Sequence, residues 1–177
     1  MTAIIILVVV IILIIWAISL YNRLVKLRNN RENAFADIDV QLKQRHDLVP
    51  QLVETVKGYA AHEKETFEKV VAARNNAVSA KSIDDKIVAE NALSSALAGL
   101  KVTLEAYPEL KANQNFMQLQ EEVADLENKL SAVRRYFNSA TKELNNAVQV
   151  FPSNIIAGMC GFHKEMMFDL GEQRANY

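Results

Sequence analysis

Residues 3–20, AIIILVVVIILIIWAISL, restrict this chain more than any other stretch: eighteen consecutive residues carry no charge. As a helix the run would be about 27 Å long, enough to cross the hydrocarbon layer of a bilayer. Its many Ile and Val residues would suit a buried strand in water. In lipid, however, every backbone N–H and C=O must be satisfied within the segment, and only a helix does so. Trp16 and Tyr21 fall where a span meets the headgroups, with Arg23, Lys26 and Arg28 following as interfacial cations. A cleaved signal peptide is the rival interpretation, since Ala17-Ile18-Ser19 offers small residues to a peptidase. Such a peptide carries positive charge in front of its apolar core, and no Lys or Arg precedes this one, so a retained anchor is expected. Arg23, Lys26, Arg28 and Arg31 all follow the block closely, and basic flanks stay on the cytoplasmic side. The expectation is a single-pass membrane protein, its N-terminus outside and its C-terminal domain cytoplasmic.

The remainder reads as helices. Five glycines and three prolines leave few turn signals for strands. The lone Cys160 excludes an intramolecular disulfide and a cysteine-rich zinc site, so the fold rests on packing. Twenty basic and 21 acidic residues give a formal charge of −1 without a long run of either sign, which argues against nucleic acid as a partner.

Apolar residues alternate by three and four through Phe116, Leu119, Val123, Leu126, Leu130, Val133, Phe137, Ala140, Leu144, Ala147 and Phe151. Such a seam, on the order of 50 Å long, must lie against another of similar length. Phe35, Ile38, Leu42, Arg45, Val49, Leu52, Val56 and Tyr59 supply one. Shorter helices follow from Phe67, Val70, Val71, Arg74 and Val78, and from Leu93, Leu97, Leu100, Leu104 and Tyr107, with breaks near 58–62, 79–84 and 107–113. The predicted fold is all-α: a transmembrane anchor (1–22), an antiparallel bundle of about four long helices (23–151) and a short apolar helical tail (152–177). Pro50 interrupts the upstream seam in register, which predicts a kink or a brief restart capped by Asp47.

No complete catalytic set is visible. His46-Asp47 would suit general-base work, but helical neighbours point about 100° apart and no nucleophile motif stands nearby, so exposed polar trim or a cap is expected. An enzyme or small-ligand sensor built on Arg45, His46 and Asp47 near the Pro50 bend is the alternative. "HEKET" at His62 begins like a zinc-protease helix, but the second histidine is replaced by Thr66; no metal or cofactor is expected. Arg45 and Arg74 occupy seam positions that call for apolar side chains. Each needs a partner such as Asp39, Glu63 or Glu127, or must send its head to water, and a role in setting packing register follows. In the tail, Ile155, Met159, Phe162 and Met166 step by four and three. Packing on the bundle or on another copy is expected ahead of membrane contact, with Cys160 a small buried side chain.

Several stretches together resemble the LemA family: Tyr21-Asn22, "IDVQLKQRHDLVPQLVETVKGYAAHE" at 38–63, Ala73-Arg74, "YPELKANQNF" at 107–116, "RRYFN" at 134–138 and "FPSNIIAG" at 151–158. Gln44, Phe137 and Leu144 depart from the pattern, standing where Arg, Tyr and Tyr are expected. The resemblance implies a single-pass bacterial protein of the inner (cytoplasmic) membrane, with a helical cytoplasmic domain and no assigned reaction. A non-enzymatic scaffold that self-associates or binds a membrane-protein partner is the function expected.

Overall fold

A computed structural model describes residues 1–168 of the chain. The elements are α1 (Thr2–Lys57), α2 (Lys64–Ser79), α3 (Ile83–Leu104), a 3-10 turn (Pro108–Ala112), α4 (Gln114–Gln149) and α5 (Ser153–Met159). No strand occurs among the described residues. The chain divides into two compact units, one comprising residues 1–34 and 136–167, the other residues 35–135 with Phe168.

In the second unit the four helices share one core. Val49, Leu52, Val53 and Val56 from α1 meet Phe67, Val70 and Ala77 from α2, Leu93, Leu100 and Leu104 from α3, and Phe116 from α4. Cross-helix contacts give the directions. Lys86 reaches Asp39 and Glu90 reaches Arg45, so α3 runs parallel to this part of α1. Asn113 bonds Tyr59 while Glu127 bonds Arg45, so α4 returns antiparallel. Local chemistry sets the breaks. The Ser82 hydroxyl accepts the Asp85 N–H at the start of α3, where Asp84 and Asp85 complement the helix dipole. The Asn113 side chain caps α4 by accepting from Phe116 N–H. The seams predicted for α1 and α4 face inward, with Leu119, Val123 and Val133 half-buried and Tyr59 and Phe151 at the ends exposed.

In the first unit, residues 1–23 include no buried side chain, and Leu24 is the first fully covered one. It packs with Ala147 of α4 and Ala157 of α5. Helix α1 passes through Ala17-Ile18-Ser19 unbroken. Both α1 and α3 are long and apolar enough to cross a membrane, but α3 places Ile87, Leu93, Leu100 and Leu104 in a protein core.

The tail differs from expectation. Helix stops at Met159 instead of continuing to Met166, because Gly161 adopts a left-handed φ of 75° and Phe162 N–H bonds back to Ala157 C=O, closing a Schellman cap. Residues 162–167 then run without regular structure. The Asn145 side chain donates to Glu165 C=O and accepts its N–H, as a neighbouring strand would. Cys160 is exposed, not buried, since it lies on the turn itself. Residues 169–177 of the expected tail lie outside the described residues.

Candidate functional site

The most constrained polar groups lie inside the second unit. Arg45, on the buried face of α1, is 4% exposed and Glu90 of α3 only 1%. The guanidinium donates to Glu90 Oε2 at 3.1 Å and Ser94 Oγ at 2.9 Å and forms an ion pair with Glu127 Oε1 at 3.0 Å, while its buried Nε has no hydrogen-bond partner among the described residues. The other Glu90 oxygen faces His46 Nε2 at 2.5 Å. Both oxygens of Glu90 are therefore occupied from within the protein. Such a pair is costly to break, because removing one member leaves the other buried and uncompensated.

Arg74 solves a different problem. Pro50 lacks the N–H that would bond the carbonyl four residues back, which is that of His46. Helix α1 nevertheless continues through Pro50 without a restart, and Arg74 of α2 donates its Nε to His46 C=O at 3.2 Å. The arginine supplies the bond that the proline withholds. Its other contact is Asn75 Oδ1, so the carboxylate partner expected for Arg74 is replaced by a backbone carbonyl. Asp39 instead pairs with Lys86, whose hydrogen bond holds the Asp39 carboxyl below its usual range. Glu63 accepts from the Tyr107 hydroxyl. Arg134 lies beside the layer, and burial, reinforced by the charge of Arg45, lowers its pKa. Its Nε and Nη2 find no hydrogen-bond partner among the described residues, and the Phe168 ring lies 5.1 Å from its Cζ.

Arg45, His46 and Asp47 do not converge. Arg45 reaches a cavity of about 560 Å³ with apolar walls that include Leu52, Leu97, Ala98 and Val123, and with Ser94, Lys101, Gln120, Glu127 and Asn128 as further polar lining. His46 turns to Glu90 and is largely buried, which corrects its reading as exposed trim. Asp47 is exposed and borders a separate recess with Gln44, Asp125 and Lys129. No cluster of potential metal ligands occurs among the described residues. Glu90 is the residue that sequence reasoning missed. It sits in helical register between Ile87 and Leu93, the same kind of seam position that drew notice to Arg45.

Trp16, Tyr21, Arg23, Lys26 and Arg28, read as interfacial, are all exposed on α1. Arg31 is not: it is buried, pairs with Glu165 at 3.2 Å and lies over the Phe137 ring. Phe137 and Leu144 are fully buried, so packing fills the positions where the family resemblance suggested hydroxyls.

An all-α bundle, led by a long uncovered apolar helix and closed around its own buried ion pairs, defines the class of protein. The sequence matches the LemA family over residues 34–177, and the chain belongs to that family. It is also similar to Protein LemA of Metamycoplasma hominis, with 24% identity over 153 residues, covering 85% of this chain and 69% of that relative.

Proposed function

We propose that the chain is a membrane-anchored helical scaffold or adaptor that catalyses no reaction and works by self-association or by holding a membrane-protein partner. The observation that carries this reading is the contrast within α1. Its residues from Ile4 to Ile15 are uncovered on every side, while the same helix continues into a packed bundle whose charged interior groups bind one another. Uncovered apolar area of that extent calls for lipid. Arg23, Lys26 and Arg28, exposed just after the run, favour a cytoplasmic bundle and an external N-terminus in the inner membrane. Arg31 drops out of that count because Glu165 neutralises it.

The test combines topology and capture. A C-terminal fluorescent protein should mature, a C-terminal alkaline phosphatase should stay inactive, and crosslinking in native membranes should yield a dimer or a defined membrane-protein adduct. Reversed reporters would refute the topology, and an uncrosslinked monomer in mild detergent would refute the scaffold role.

A small-ligand sensor is the second reading, and the cavity at Arg45 favours it. It uses Arg45 with Ser94 and Glu127, without His46 or Asp47. Dye displacement by amphipathic anions, abolished by filling the cavity with Ala98→Phe, would support it; absence of any displacement would remove it.

A further inference from the structure

The corner between α4 and α5 presents a second set of apolar side chains that no described residue covers. Phe151 is 75% exposed, Ile155 52% and Met159 79%. They recur every four residues, and Ile155 and Met159 share one face of α5, while Ile156 and Ala157 pack inward beside Leu24.

Their depth follows from helix register within this unit. Helices α1 and α4 are antiparallel there: the Tyr136 hydroxyl reaches Asn30, Arg31 lies over Phe137, and Ala147 packs with Leu24. Each residue forward on α4 is then one residue back on α1. Phe151, just past the end of α4, falls level with the end of the apolar run, roughly residues 15–20. From there the chain turns back along α1, since Ala157 packs with Leu24 and the Phe162 ring lies between Tyr21, at 6.1 Å, and Arg28, at 5.0 Å, so the corner spans the stretch just beyond the apolar run. Aromatic and apolar groups at that height, beside the exposed cations Arg23 and Lys26, match the composition of a membrane–water boundary.

We infer that Phe151, Ile155 and Met159 insert into the headgroup–acyl boundary beside the anchor, giving the protein two lipid attachments. A single helix leaves a domain free to swivel about the membrane normal and to tilt; a second contact at the same depth fixes which face of the bundle meets the bilayer. The inference rests on the anchor proposed above. The cations of α1 supply the charge that the tail, with Lys164 and His163, has in short measure, so anionic lipid should strengthen the contact.

The chain carries its own reporters: its only tryptophan, Trp16, lies in the anchor and its only cysteine, Cys160, is exposed at the corner. The full chain is labelled at Cys160 with an environment-sensitive nitrobenzoxadiazole dye and reconstituted in phosphatidylcholine–phosphatidylglycerol vesicles containing shallow-doxyl lipid. Quenching of both Trp16 and the label, with the label shielded from aqueous iodide, is the expected result. Combined Phe151→Asn, Ile155→Asn and Met159→Asn should return the label to the iodide accessibility of dye in water while Trp16 remains quenched. If that variant fails to fold, the unsubstituted chain still decides. A label reached by iodide and untouched by doxyl lipid, with Trp16 quenched, would overturn the inference and leave the anchor standing. A label shielded from iodide yet untouched by doxyl lipid would mean that protein covers the corner, and would overturn it too. If Trp16 itself escapes quenching, the anchor fails and the corner contact fails with it.

Discussion

Every side chain from Ile4 to Ile15 is at least 45% exposed, whereas Arg45 and Glu90 are 4% and 1% exposed. One region leaves apolar groups uncovered and the other encloses charges, and each arrangement is completed differently. No residue described in its own unit covers the apolar run, and lipid is the solvent that would suit it. The charged layer draws most of its complement from within: Arg45 is held by Glu90, Glu127 and Ser94, and Glu90 also by His46, although the buried Arg45 Nε has no hydrogen-bond partner among the described residues. Similar stretches of one helix can thus mark an interface or a closed interior, depending on where the partners lie.

The largest expected effect comes from breaking the closed layer. Arg45→Met should lower stability by about 3–5 kcal/mol, because Glu90 stays buried without its main counter-charge. Adding Glu90→Leu should recover much of that loss, since apolar replacement of a whole buried pair is often near neutral. Urea unfolding in mild detergent, followed by circular dichroism, measures both. A cost below about 1 kcal/mol for the single change would mean that water reaches the layer and that the contrast with the apolar run is overstated.

The opposite perturbation belongs in the run. Ile11→Lys should raise the cost of membrane insertion by about 2.5–3.5 kcal/mol. It should leave the unfolding of the bundle unchanged, because Ile11 is exposed and belongs to neither core cluster described above. Fractionation and urea unfolding together separate the two effects. Loss of bundle stability would show that the run is packed on protein after all.

A third test concerns the proline. Arg74→Met should cost about 1–3 kcal/mol by orphaning the His46 carbonyl. In a Pro50→Ala background the restored N–H supplies that bond, and the same substitution should cost well under about 1 kcal/mol. Equal costs in the two backgrounds would dissolve the pairing of Pro50 with Arg74.

The smallest effect is titratable. Lys86 holds the Asp39 carboxyl below its usual value of 3.8, so the bond stabilises the fold above that pH and is lost as pH falls through the lowered value. Both side chains are about a quarter exposed, which limits the gain to under about 1 kcal/mol. Asp39→Asn should therefore be slightly less stable than the native chain at neutral pH and equal to it in acid, by the same unfolding measurement. A difference that persists below the lowered value would assign it to packing.

Periodicity in the chain determines where helices run and which faces they bury. Seam residues from Phe35 to Val56 and from Phe116 to Ala147 lie inward as their spacing requires, and the breaks fall where Gly, Pro and capping residues cluster. Hydrophobic spacing is a local property, carried by residues three and four apart, so one chain suffices to read it. The partners of buried charges are not local. Arg45 and Glu90 are 45 residues apart and Arg74 and His46 are 28 apart, and which carboxylate or carbonyl an arginine finds depends on the rotation and height at which two helices dock. That is why Glu90 escaped notice, why His46 proved buried, and why Arg31 turned from a flanking cation into the partner of Glu165. The tail divides along the same line. The left-handed Gly161 ends the helix locally, but the path of the chain beyond it is set by the docking of Phe162 on Tyr21 and of Glu165 on Asn145, because those contacts depend on surfaces that exist only once α1 and α4 are in place.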